Sequence, residues 1–128
     1  MKKNILMISV LTMLMLLTGC VDSMNPSQPA SNGNPTPKDY LKDGNADIFL
    51  LDGIVYSNVE NVEWVLELEY TIGEEIVEIT KQSDKPQEFE NGTSNKLPIG
   101  TKVYRTDTPV YIAIVDGKEI RYLGMYEG

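Results

Sequence analysis

The chain has no histidine and one cysteine, and these two gaps exclude most side-chain chemistry. Ser-His-Asp and Cys-His nucleophilic systems both need an imidazole, so neither can be assembled. The common zinc, copper and haem sites draw on His or free Cys ligands and fall with them. No G-x-x-x-x-G-K-[ST] or G-x-G-x-x-G pattern occurs, so no phosphate-cradling loop has a candidate. The S-x-x-K of serine-lysine acylases is absent too. Ser83-Asp84-Lys85 and Ser94-Asn95-Lys96 are each one residue too short. Positive charge is scarce. With 11 basic and 19 acidic side chains, the chain cannot offer the basic face that phosphate neutralisation requires, and nucleic acid is excluded as a partner.

The single cysteine stands at a telling place. Lys2 and Lys3 give a basic start, and Ile5 to Leu17 is a run of 13 residues, apolar except for Ser9 and Thr12. That length suits the core of a signal peptide and falls short of the ~20 residues of a membrane span. Leu17-Thr18-Gly19-Cys20 closes the run and resembles the lipobox of bacterial lipoprotein precursors. The resemblance implies that Cys20 receives a diacylglyceryl group on its sulfur. It also implies cleavage between Gly19 and Cys20, so that residues 1–19 are a signal peptide. Acylation at one residue with two chains gives stable anchoring, where one chain gives only marginal binding. The expected location is the extracytoplasmic face of the cell membrane.

Composition changes after Cys20. Four of the seven prolines, Pro26, Pro29, Pro35 and Pro37, fall between Val21 and Asp43, among Ser, Asn, Gln and Gly. Such a segment buries too little apolar surface to offset its ordering entropy. Residues 20–44 therefore read as a disordered tether, and 45–128 as one small domain. Removal of Lys2 and Lys3 leaves nine basic against 19 acidic side chains, a balance of −10. Seven of the carboxylates, from Glu60 to Glu78, lie in a stretch without Lys or Arg.

In the domain, Ile48 to Tyr56 predicts one strand with a bulge or bend at Gly53. "SNVENVEWVLELEY" is ambiguous. Ser57 and Glu60 can form a capping box and Val59, Val62 and Leu66 keep helical spacing, which predicts a short helix over about Glu60 to Leu68. Strict alternation of Val62, Trp64, Leu66, Leu68 and Tyr70 fits a strand instead. Glu75 to Lys81 and Lys102 to Thr106 read as strands, Gln82 to Ser94 as a polar loop. "LPIGT" sets a turn with Pro98 at its second position. Its Gly-Thr order rules out a sortase LPxTG signal. Asp116-Gly117 between two β-rich runs predicts a two-residue hairpin that pairs Ala113 with Ile120 and Tyr111 with Tyr122. Val110 to Val115, apolar on both faces, should be a central strand. The expected class is α+β: a mostly antiparallel sheet or open barrel of about five strands with one short helix.

"DGNAD", Asp43 to Asp47, has alternating oxygen side chains but puts Ile48 and Ile54 where a calcium loop needs Gly and Glu. A polar entry to the first strand explains it better. The candidate interaction surface is Trp64 with Glu60, Glu63, Glu67 and Glu69, an aromatic anchor in a negative field that suits a cationic protein or peptide. The competing reading packs Trp64 in the core and leaves the glutamates as solvated charge. No cofactor and no catalytic residue is expected. Beside a non-enzymatic interaction module stand two alternatives, a small carboxylate-dependent hydrolase and a weak hard-cation binder. From about Asp47 to Gly128 the order "DGIVY…VEWVLELEYTIGEEIVEI…LPIGTKVYRTD…YIAIVDGKEIRYLGMYEG" looks like small lipoproteins of Bacillus-type Gram-positive bacteria. That resemblance implies a membrane-anchored extracytoplasmic domain and carries over no site residues.

Overall fold

Two strands that are neighbours in sequence lie at opposite ends of one sheet, and this fixes the architecture. A computed structural model of the chain describes residues 33–127. The strands are β1 (Ile48–Leu51), β2 (Ile54–Asn58), β3 (Ile72–Glu78), β4 (Lys81–Gln82), β5 (Thr93–Ser94), β6 (Lys102–Thr106), β7 (Tyr111–Val115) and β8 (Lys118–Gly124). Their order in the sheet is β3-β6-β7-β8-β2-β1-β5-β4. β3 and β4 form the two edges, yet only Ile79 and Thr80 separate them. A flat sheet cannot satisfy that link, so the sheet curls into a half-barrel.

The handover takes two residues. The Ile79 N–H donates to the Thr101 carbonyl at 2.8 Å, continuing the β3 side of the pairing. The next N–H, from Thr80, donates to the Gly92 carbonyl at 2.9 Å, on the β5 side. Two register shifts in β3, between Ile72 and Glu75 and between Glu75 and Val77, supply the bend, since an extra residue on one strand increases local twist.

The curl makes two cores. Inside it lie Phe49, Tyr56, Ile79, Leu97, Val103, Ala113 and Tyr122, brought together from strands far apart in the sheet order. Phe49 stacks on Tyr56 at 4.8 Å and meets Tyr122 edge-on at 5.2 Å. On the other face Val59, Val65, Val110 and Ile112 form a second cluster. β7 serves both, with Ile112 on one side and Ala113 on the other, as period-two alternation requires. This is the central, doubly covered strand expected from its composition. The β7–β8 register also agrees, with Ala113 opposite Ile120 and Tyr111 opposite Tyr122.

The fold class expected from sequence is wrong. Among the described residues the chain is mostly sheet, with eight strands rather than about five and two short α-helices rather than one. Three local causes account for the difference. First, Ile48 to Tyr56 is a hairpin and not one bent strand. Asp52 and Gly53 take φ of 51° and 78°, matching Asp116 and Gly117 at 51° and 78°. Second, β4 and β5 are two residues each within what reads as a polar loop, and side chains support them. Asn95 accepts from the Ile48 N–H and donates to the Ala46 carbonyl, both at 2.8 Å, so its amide extends the edge of β1 as a strand would. Third, the helix expected over about Glu60 to Leu68 shrinks to one turn, α2, Glu63–Leu66, capped by Val62 and not by Ser57, which lies in β2.

Two further details differ. The turn at "LPIGT" sits one residue later than expected, with the Thr101 N–H donating to the Pro98 carbonyl at 3.1 Å and Gly100 at φ 95°. Residues 33–44, assigned to the tether by composition, contain a helical turn, α1, Pro37–Leu41. Asp39 accepts from the Thr36 N–H at 2.8 Å and from its hydroxyl at 3.0 Å. These bonds hold the Asp39 carboxyl below the usual carboxylate range. Cys20 and residues 1–32 lie outside the described residues.

Candidate functional site

The acidic stretch divides into carboxylates with a partner and carboxylates without one. Glu60 is committed. Its Oε2 accepts from the Arg121 backbone N–H at 2.9 Å and from the Arg121 guanidinium at 3.1 Å. Arg121 also lies over the Tyr70 ring, 5.6 Å from its centroid. Tyr70 in turn donates its hydroxyl hydrogen to Glu119. Glu74 and Glu75 face Arg105 and Lys102 across the β3–β6 pair, at 3.6 and 3.9 Å. These two are exposed, so each is worth little beyond about 1 kcal/mol. Glu63, Glu67, Glu69 and Glu78 form no ion pair among the described residues.

α2 shows why this stretch defies both sequence periodicities. Val65 is fully buried in the second cluster, while its neighbours Trp64 and Leu66 are 54% and 46% exposed. Val62 and Leu68 pack against the same cluster from the ends of the turn. One buried residue thus pins the turn, and the two large apolar side chains beside it point outward. Trp64 is therefore not in the core. It stands exposed next to Glu63 and close in sequence to Glu67 and Glu69, all three exposed. Of the candidate surface residues, Glu60 alone is turned to another task.

A second feature, of which the sequence marks only Asp43 to Asp47, lies between the end of α1 and the end of β2. It is a polar cleft of about 600 Å³, bordered by Tyr40, Asp43, Asn45, Asp47, Asn58 and Glu60. Its floor is fully bonded. Asp47 Oδ1 accepts from the hydroxyl of buried Tyr122 at 2.6 Å, and Oδ2 accepts from the Asn58 amide at 2.9 Å. Asn58 Oδ1 takes the Glu60 N–H at 2.8 Å. Burial, and then the bond to Asp47, hold the Tyr122 phenol far above the usual tyrosine range. Burial also raises Tyr40. Three carboxylates share this cleft; Asp47 is bonded to Tyr122 and Asn58 and Glu60 to Arg121, while Asp43 at the rim makes no side-chain bond among the described residues. Among the described residues no three acidic, His or Cys side chains converge to hold a metal ion.

The two serines of the near-motifs are engaged as well. Ser94 Oγ donates to the Ile48 carbonyl at 2.7 Å and accepts from the Lys96 and Leu97 N–H groups. Ser83 Oγ donates to Glu88 at 2.6 Å. That bond keeps the Glu88 carboxyl below its usual range. Both serines hold loops together. No helix among the described residues is long and apolar enough to cross a membrane. Comparison of the chain with protein-family models, with curated proteins and with solved structures returned no match.

Proposed function

We propose that the protein is a lipid-anchored interaction module on the extracytoplasmic face of the cell membrane. Cys20 carries the anchor, and the α2 turn engages a cationic protein or peptide. The anchor rests on the lipobox Leu17 to Cys20 after a 13-residue apolar run. The observation that carries the interaction is the exposure of Trp64. A tryptophan that leaves half its surface in water is an apolar anchor without an intramolecular pocket, and buried tryptophans dominate binding energy at interfaces. Glu63, Glu67 and Glu69, which form no ion pair among the described residues, supply a negative field that favours encounter with positive charge.

The partner should be basic and should itself carry an apolar side chain to cover Trp64. A lysine-rich amphipathic peptide is a suitable probe. The full chain in detergent micelles should retain it, and retention should weaken as salt screens the glutamates. Trp64→Ala and the double change Glu63→Gln, Glu67→Gln should each reduce capture at least tenfold with the thermal midpoint unchanged. Capture equal to the parent in both variants contradicts the reading.

A further inference from the structure

The polar cleft differs from a random surface hollow in how its polar groups are divided. The floor groups, Asp47, Asn58 and Glu60, are fixed by bonds to Tyr122, to one another and to Arg121. The rim groups are uncommitted. The Asp43 carboxylate, the Asn45 and Asn61 amides, and the Ser57 and Tyr40 hydroxyls make no side-chain hydrogen bond among the described residues. A rigid floor beneath unpaired donors and acceptors is the arrangement a preorganised polar site needs. Its volume of about 600 Å³ lies within the range of small-molecule pockets and accommodates one or two sugar rings.

Charge narrows the ligand. No Lys or Arg among the described residues lines the cleft, and its three carboxylates, Asp43, Asp47 and Glu60, disfavour an anion. The carboxylates do not converge on a metal. What remains is one carboxylate that accepts, Asp43, beside amides and hydroxyls that both donate and accept. Vicinal hydroxyl groups have the same two-handed character. The half-buried Tyr40 ring adds an apolar wall for the C–H face of a ring.

We propose that this cleft binds a neutral polyhydroxylated ligand, a sugar or short glycan. The site adjoins α2 through Glu60 and Asn61 but does not use Trp64, and it is independent of the function proposed for that turn.

The test uses the full chain, 15N-labelled in detergent micelles, titrated with N,N′-diacetylchitobiose and with maltotriose. At least one should produce saturable shifts of the Asn45 and Asn61 side-chain amides. Asn61→Ala and Asn45→Ala should each weaken that binding about tenfold without moving the thermal midpoint. Tyr40→Phe, which keeps the ring, should weaken it less than Tyr40→Leu. Calcium chloride and spermidine provide the opposing arms. Saturable shifts with either of these and none with the sugars would make the cleft a cation site and overturn the proposal. Absence of shifts from both sugars at tens of millimolar would overturn it as well.

Discussion

The hydroxyl of Tyr122, a side chain wholly buried in the curl, donates to Asp47 at 2.6 Å across 75 positions of sequence. This bond ties the entrance of β1 to the last strand and joins the aromatic core to the polar cleft. Tyr122→Phe leaves the ring in place and removes the donor, so it should cost about 1–2 kcal/mol in a urea titration. The pH dependence has a definite sign. The folded state holds the Tyr122 proton above the pH at which an unfolded tyrosine, with a pKa of ~10, releases it. Its contribution is therefore complete below that pH and is lost as pH rises toward the folded value. Tyr56, raised chiefly by burial, acts in the same direction. Stability should fall above about pH 10, and less steeply in Tyr122→Phe.

The two Asp-Gly turns should behave alike. A Cβ at Gly53 or Gly117 meets nothing within 4 Å, so backbone strain at φ 78° is the whole cost. Gly53→Ala and Gly117→Ala should each lower stability by about 1 kcal/mol, and Gly117→Val by more. Denaturation midpoints equal to the parent would show that one of the turns is not built this way.

These turns also show what the sequence makes legible. Asp116-Gly117 stands out because a continuous apolar run, Val110 to Val115, ends at it and a mixed β-rich run begins after it. Asp52-Gly53 is the same dipeptide with the same geometry, yet "IFLLDGIVY" is apolar enough on both sides to pass for one strand. The central position of β7 follows from its composition, since only a strand covered on two faces can be apolar at every position. The curl could not be read, because it depends on Ile79 and Thr80 pairing with carbonyls 22 and 12 residues away. β4 and β5 are too short to leave any period. At the candidate surface, the acidic run and Trp64 were plain, but not that Glu60 reaches Arg121 across 61 positions. The polar cleft was legible only in part: Asp43, Asn45 and Asp47 stand out for their alternating oxygen side chains, but Tyr40 lies in what reads as tether and Asn58 to Asn61 in what reads as a helix start.

Neighbouring residues on α2 should separate cleanly. Trp64→Ala should change stability by less than about 0.5 kcal/mol, as an exposed substitution does. Val65→Ala, one position on and fully buried, should cost about 2 kcal/mol. Circular dichroism melts of the two variants decide whether the turn faces outward as described.

Glu60 tests the division of the acidic stretch. Its pair with Arg121 is at 3.1 Å, with the two side chains 34% and 22% exposed. Glu60→Ala removes the acceptor for both the guanidinium and the Arg121 N–H and should cost about 1–3 kcal/mol. Glu67→Ala, which breaks no ion pair among the described residues, should leave the midpoint within about 0.5 kcal/mol.

The anchor is the claim on which the location depends, and one mass measurement addresses it. Protein extracted from membranes of a producing bacterium and cut with trypsin should yield a fragment running from Cys20 to Lys38. That fragment should carry a diacylglyceryl group on the Cys20 sulfur. Cys20→Ala should abolish both the modification and the cleavage before residue 20. A free Cys20 thiol in membrane-derived protein, or a mature chain that retains residues 1–19, would contradict the account.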